Sequence, residues 1–327
     1  MEVRKLAILG AGNLGTTLAL MLWEKEYRVE LWTIEEDVAE AIQVGRENPR
    51  YLPGHYIHTG IGVTLDISKA LDDAEVVVVA VPSHAVREVA RLAAPHLKTG
   101  VIVIDFAKGM ELETGLRMSQ VLEDELPAEN DGIVAVSGPS IALELVRKLP
   151  TAVEVSSHNL IYAQRAKEIL ETHFFRLHVN EDLPGVELGG VFKNIFAIGA
   201  GICDGLRMGV NTKASYLTKS SKELAVLGST LGANPHTFMG LSGLGDLIVT
   251  CASEHSRNRR FGEKLGEGLS IGEAQRSIGQ VVEGIRAAKV AYRMSKERDL
   301  ELPIVEQIYC VLYEGRDPRE AVYGFIL

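Results

Sequence analysis

The chain opens on four apolar residues, Leu6 to Leu9, that run into Gly10-x-Gly12-x-x-Gly15 and then into a stretch holding Leu18, Leu20, Met21 and Leu22. The first block reads as a strand buried on both faces, and the later spacing suits a helix, so the order is strand, tight turn, helix. The strand signal returns at Val29–Trp32, Val76–Val81, Val101–Phe106, Ile133–Val136, Thr151–Ser156 and Phe175–Val179. Helical stretches at Ala85–Ala94 and Leu160–Leu170 lie between some of them. Alternation of this kind predicts an α/β unit on a mostly parallel sheet. Ser83 is placed to cap the first of those helices. Pro49, Pro53, Gly54, Gly60 and Gly62 predict an irregular loop across Arg46–Gly62.

Beyond Pro184-Gly185 the pattern changes to one long apolar helix, Val186 to Gly205, and the tail from Ile271 to Leu327 is helical as well. Two domains are therefore expected, 1–184 and 185–327, with the second all-helical. A chain of 327 residues suits that count.

The glycine turn carries the first chemistry. Gly10 allows the turn, Gly12 lets a pyrophosphate approach the backbone, and Gly15 lets helix and strand pack closely, the requirements of a dinucleotide site. The helix N-terminus offers N–H groups and a positive dipole end to the phosphates. Past the second strand come Thr33, Ile34, Glu35 and Glu36. No arginine stands there for a 2′-phosphate, and a glutamate there can either accept from a free 2′-hydroxyl or simply open a solvated helix, which leans slightly to NAD over NADP.

Further candidates sit at strand ends, where ligands border such sheets. Lys108-Gly109 follows one strand, and Ser137-Gly138-Pro139-Ser140 follows another. In the long helix, Gly189, Gly190, Lys193, Ala197, Ala200 and Gly201 share one face. Small residues around a lysine let a flat ligand or another backbone come close. Desolvation would then make the lysine a proton donor or acceptor near neutrality, unless it snorkels to water. Gly243-Leu-Gly-Asp246 delivers an aspartate, with Thr250 four residues on. Three arginines fall within His255–Arg260, where Ser256 and Asn258 can open a helix suited to a small phosphate.

Charge and cysteines narrow the class. With 34 basic and 44 acidic residues the net charge is −10, which argues against general nucleic-acid binding. Cys203, Cys251 and Cys310 are odd in number and far apart, as in reduced thiols of a cytoplasmic protein. No signal peptide and no membrane span are expected, because the first strand begins at once and no apolar run approaches about 18 residues. His55 and His58 lack further ligands nearby, so no metal is expected.

Together these motifs resemble the NAD(P)-dependent sn-glycerol-3-phosphate dehydrogenases of the bacterial type, over essentially the whole chain. The resemblance rests on Gly10-Ala-Gly-Asn-Leu-Gly15, Val81-Pro-Ser-His84, Lys108-Gly109, Ser137-Gly-Pro-Ser140 and Gly189-Gly-Val-Phe-Lys-Asn194. It extends through Gly243-Leu-Gly-Asp246, Ser256-Arg-Asn-Arg-Arg-Phe261 and Gly279-Gln-Val-Val-Glu-Gly284. It implies an N-terminal Rossmann-type domain and a helical, 6-phosphogluconate-dehydrogenase-like C-terminal domain, with the active site between them. It implies NAD or NADP as cofactor, no metal, and reversible reduction of dihydroxyacetone phosphate to sn-glycerol 3-phosphate for glycerophospholipid synthesis. Lys193 would be proton donor, Lys108 would polarise the substrate, and Asp246 with Thr250 would orient lysine and substrate. Ser256, Arg257 and Asn258 would grip the phosphate, with Gly138 and Ser140 at the rim. Gly10, Gly12, Asn13, Leu14, Gly15, Ile34, Lys108, Arg257, Val281 and Glu283 would meet the cofactor. A cytoplasmic homodimer is expected. A β-hydroxyacid dehydrogenase shares the plan but not the arginine cluster, and a non-catalytic NAD(P) sensor would have no need of Lys193 and Asp246.

Overall fold

The computed structural model describes residues 5–111 and 113–326. They divide into two compact units, residues up to 111 with 116–183, and residues from 184 onward with 113–115. The strands, in chain order, are β1 (Lys5–Leu9), β2 (Arg28–Trp32), β3 (Glu47–Asn48), β4 (Leu52–Tyr56), β5 (Gly62–Thr64), β6 (Val76–Val79), β7 (Ile102–Asp105), β8 (Ile133–Ser137), β9 (Thr151–Ser156) and β10 (Phe175–Val179).

Eight of them form one sheet in the order β10-β9-β8-β7-β6-β1-β2-β5. β1 pairs in parallel with β2 and β6, and the single antiparallel pair is β8 with β9. Successive residues of β1 enter different cores: Leu6 and Ile8 pack with Val76, Val78 and Ile104, whereas Ala7 and Leu9 pack with Val77, Val79 and Val103. Both faces are covered, which is why these strands are apolar without alternation. β6 stops at Val79, two residues short of its apolar run, because Pro82 has no N–H to continue the ladder.

Two local expectations are corrected here. Ser83 does not cap a helix: it opens a 3-10 turn, Ser83–Ala85, and the α-helix begins three residues later at Val86. Its side chain instead fills the space beside Gly109, where a Cβ would lie 2.2 Å from Ser83 Oγ. Residues 46–62 are not irregular throughout, since β3 and β4 form an antiparallel hairpin, with a register shift at Glu47/Asn48, within them. His58 stacks on Trp23 with ring centroids 4.7 Å apart, and His55 Nδ1 lies 3.0 Å from the Pro53 carbonyl oxygen.

In the second unit the described residues form helices and turns without a strand. Its core helix, Leu183–Gly205, starts ahead of the expected Val186, because Pro184 is tolerated in a first turn. At 23 residues it is long and apolar enough to cross a membrane, contrary to the expectation of no such run, but its whole apolar window is buried. It is a core helix. Its glycines press on neighbouring backbone. A Cβ on Gly189 would lie 2.2 Å from the Ser242 carbonyl oxygen, on Gly201 1.9 Å from that of Arg259, and on Gly205 2.2 Å from that of Glu263. The facing helix, Arg257–Gly266, answers in kind: a Cβ on Gly262 would lie 1.9 Å from the Ile198 oxygen, and on Gly266 2.6 Å from the Ile202 oxygen. A third fixture is the buried Glu223, whose carboxylate accepts from the N–H groups of Ile304 (2.7 Å) and Val305 (3.1 Å) at the start of the Pro303–Tyr313 helix.

Candidate active site

The glycine turn has the backbone geometry that a phosphate cradle requires. Gly10 sits at φ +115° and donates its N–H to the Trp32 carbonyl at 2.9 Å, tying β1 to β2. A Cβ on Gly15 would lie 1.9 Å from the Gly10 oxygen, so only glycine lets the Asn13–Glu24 helix sit this close. Gly12 differs from both. It is the N-cap of that helix, no side chain caps the helix start, and a Cβ there would meet no protein atom within 4 Å. The space is open and faces N–H groups, which fits a pyrophosphate. Asn13 folds back, its Oδ1 accepting from Leu14 N–H at 2.8 Å.

Asn48, from the hairpin, is the residue that sequence reading missed. It is buried, and its Nδ2 donates to the Ala11 carbonyl (2.8 Å) and to Thr16 Oγ1 (3.0 Å). The hairpin thereby braces the cradle from outside the motif. At the end of β2, Thr33 is buried and Ile34 is 76% exposed. Glu35 accepts from the Tyr51 hydroxyl at 2.9 Å.

The turns after β7 and β8 meet through one lysine. Lys108 Nζ donates to the Gly138 carbonyl (2.8 Å) and lies 3.3 Å from Ser140 Oγ, which itself donates to Gly138 O at 3.1 Å. Lys108, Gly138 and Ser140 are thus brought together. Asp105 shapes the lysine turn by accepting from Ala107 N–H at 3.0 Å.

On the core helix Lys193 does not snorkel to water. Its side chain is 8% exposed and its Nζ lies 2.5 Å from Asp246 Oδ1, which is 2% exposed. Asp246 opens the Asp246–Ala252 helix after a π-helical turn, Leu241–Gly245, built from the glycine-rich segment. Thr250, one turn on, brings its hydroxyl to 3.5 Å from the same carboxylate oxygen. A buried counter-charge favours the ammonium form of a buried lysine, so that a proton is available to a neighbouring oxygen. Gly189, Gly201 and Gly205 of this helix serve backbone packing, and the lysine is its one cationic side chain.

Ser256 caps the Arg257–Gly266 helix, its Oγ accepting from Arg259 N–H at 3.2 Å. Of the three arginines, Arg259 is structural: its Nε pairs with Asp204 Oδ2 at 2.6 Å. Arg257 is exposed on the first turn. Asn258 does not cap. It is buried, donates to Asn194 Oδ1 (2.8 Å) and accepts from Gly284 N–H (2.8 Å), while Asn194 Nδ2 donates to Glu283 Oε2 at 3.3 Å. One amide network therefore ties the lysine helix, the arginine segment and Glu283. Val281, two residues earlier, is exposed.

Comparison with known proteins gives the family. Residues 5–163 match the N-terminal and residues 182–323 the C-terminal model of NAD-dependent glycerol-3-phosphate dehydrogenase. The chain belongs to the NAD-dependent glycerol-3-phosphate dehydrogenase family. It is 47% identical to the glycerol-3-phosphate dehydrogenase [NAD(P)+] of Pelotomaculum thermopropionicum, covering 97% of this chain and 91% of that one. The corresponding protein of Geobacillus thermodenitrificans is 44% identical, with 98% and 94% covered. Among solved structures, glycerol-3-phosphate dehydrogenase from Coxiella burnetii superposes with a TM-score of 0.91 at 37% identity, covering 98% of both chains.

For a glycerol-3-phosphate dehydrogenase, the cysteines are spectators. Cys203, Cys251 and Cys310 are free and buried, and burial pushes the thiols of Cys203 and Cys251 up to about 12, so neither is a nucleophile at neutral pH. The family's cofactor is NAD(P), and the open space at Gly12 fits a pyrophosphate.

Proposed function

We propose that this chain catalyses the reversible NAD(P)H-dependent reduction of dihydroxyacetone phosphate to sn-glycerol 3-phosphate. The observation that carries the reading is the buried Lys193–Asp246 pair, 2.5 Å apart. Nicotinamide, when bound, supplies the hydride in reduction and takes it back in oxidation. As the ketone carbon gains hydride, negative charge collects on its oxygen, and the Lys193 ammonium neutralises that charge and gives its proton, leaving a hydroxyl. In oxidation the neutral amine takes the hydroxyl proton. Asp246 holds the lysine in place and balances its charge, and Thr250 steadies Asp246. Lys108, with Gly138 and Ser140, is assigned to polarising and holding the substrate. Arg257, Ser256 and the N–H groups at the start of the Arg257–Gly266 helix are assigned to the phosphate, and Asn258 to holding that segment on the lysine helix. Gly10, Gly12, Asn13, Leu14, Gly15, Ile34, Val281 and Glu283 are assigned to the cofactor.

We assign the enzyme to the cytoplasm, supported by its buried, unbridged cysteines. We assign it a homodimeric state, supported by the exposed Tyr313 and Tyr323 on its last helices and checked by sedimentation. The decisive assay is initial-rate oxidation of NADH and of NADPH with dihydroxyacetone phosphate. Turnover with either is expected. Folded protein that binds cofactor but reduces only phosphate-free keto acids, or nothing, would overturn the substrate assignment.

A further inference from the structure

The end of β2 is where this fold reads the adenosine ribose, and between Arg28 and Arg46 the chain has no basic residue. Arg46 is committed elsewhere, its guanidinium donating to the carbonyls of Ile57, His58 and Ile61. The hairpin supplies the missing cation. Arg50, in the turn between β3 and β4, places NH1 2.9 Å from Glu35 Oε1 and 3.3 Å from Asp37 Oδ2. Its guanidinium lies 5.3 Å from the centroid of the Tyr51 ring, and the Tyr51 hydroxyl donates to the same Glu35 oxygen at 2.9 Å. The hairpin itself is anchored by Asn48 to the loop that forms the pyrophosphate cradle. Arg50 is therefore held at a set distance from any bound dinucleotide, although the sequence offers no arginine directly after the end of β2.

We propose that Arg50 decides which dinucleotide this enzyme accepts. Facing an unphosphorylated ribose, it stays on Glu35 and holds that carboxylate to accept from the 2′-hydroxyl. Facing a 2′-phosphate, it turns from Glu35 and Asp37 to the phosphate. The exchange is easy because the pairs are solvated: Arg50 is 55% exposed and Asp37 69%, and such pairs hold weakly. A phosphate, with more charge and a geometry matched to the guanidinium fork, outcompetes two carboxylates that each meet only NH1. The assignment rests on the dinucleotide-dependent reading and makes NADPH a substrate alongside NADH.

The test is fluorescence titration of NADH and of NADPH, without substrate, on the full chain and on Arg50→Ala, Arg50→Lys and Glu35→Gln. Arg50→Ala is expected to raise the Kd for NADPH by about 10- to 100-fold and that for NADH by at most about 3-fold. Arg50→Lys, which keeps charge but loses the fork, falls between, and covers the case in which alanine unfolds the hairpin. Glu35→Gln is expected to weaken NADH and to spare or strengthen NADPH. An unchanged ratio of the two Kd values in all three variants overturns the assignment alone. So does a wild type that rejects NADPH by more than about 100-fold relative to NADH. Wild-type protein that binds neither overturns the dinucleotide reading and this assignment with it.

Discussion

Replacing Asp246 by Asn keeps the shape beside Lys193 and removes only the counter-charge. Both side chains are nearly inaccessible, at 8% and 2% exposure, so water cannot stand in for the lost carboxylate. Breaking a buried pair by removing one partner costs about 3–5 kcal/mol. A ceiling comes from the lysine's escape route. Surrendering the proton at pH 7 costs an ordinary lysine about 3.4 pH units at 1.36 kcal/mol each, or about 4.6 kcal/mol. The two figures agree, so the variant is expected to fold with a neutral lysine. Its unfolded chain then carries one more proton than its folded form, and stability must rise with pH. Urea denaturation followed by far-UV circular dichroism at pH 7, 8 and 9 measures this. The gap to wild type should start at about 3–5 kcal/mol and narrow by up to about 1.4 kcal/mol per pH unit. Reduction should also slow, because a neutral lysine has no proton to give the substrate oxygen. A loss below about 1 kcal/mol, or one that does not change with pH, would refute the view of Lys193 as a buried ammonium held by Asp246.

Three further outcomes are expected. Arg257→Ala should raise KM for dihydroxyacetone phosphate with little change in kcat, if the guanidinium grips the phosphate equally in ground and transition state; an unchanged KM would move the phosphate site elsewhere. Asn48→Ala removes two buried hydrogen bonds from the cradle loop and should cost about 1–3 kcal/mol of stability while weakening NADH and NADPH alike; selective loss of one dinucleotide would contradict a bracing role. Burial pushes Glu223 up to about 7 from the ordinary 4.5 of a glutamate, so its folded form favours the proton. Its contribution to stability is present below about pH 4.5 and is lost as pH rises through 7, by up to about 3 kcal/mol. In Glu223→Gln the fall in melting temperature between pH 5.5 and 8 should flatten, and curves that stay parallel to wild type would remove Glu223 from this role.

What could be read from sequence follows the range of the forces involved. The cradle was legible because Gly10, Gly12 and Gly15 meet requirements set within six residues, by a strand before and a helix after. Lys193 and Asp246 were legible as candidates only through the motifs around them, and periodicity alone left open whether the lysine reached water. The aspartate decides that, and it arrives from 53 positions away in the chain. Asn48 gave no signal, since its partners Ala11 and Thr16 belong to a motif already explained. Arg259 and Asn258 looked like equal members of a cationic, helix-capping cluster. Folding hands one to Asp204 and buries the other against Asn194, leaving Arg257 exposed. Ser83 shows the reverse error, a sound local rule displaced by a short 3-10 turn.

The glycine seam between the Leu183–Gly205 and Arg257–Gly266 helices limits how this enzyme can change over generations. Where side chains interlock, a larger residue on one side is often matched by a smaller one opposite. Here Gly201, Gly205, Gly262 and Gly266 each face a carbonyl oxygen, and a carbonyl has no smaller version to mutate to. No second-site substitution can compensate, so the four positions are closed to drift one by one and in pairs. Main chain thus sets how closely the helices that carry Lys193 and Arg257 approach, and the Asn258–Asn194 and Arg259–Asp204 contacts hold them there. New substrate range, whether selected in nature or sought by design, has to come from elsewhere, such as the turns after β7 and β8 that we assign to the substrate, where Lys108, Gly109 and Ser140 are half-buried.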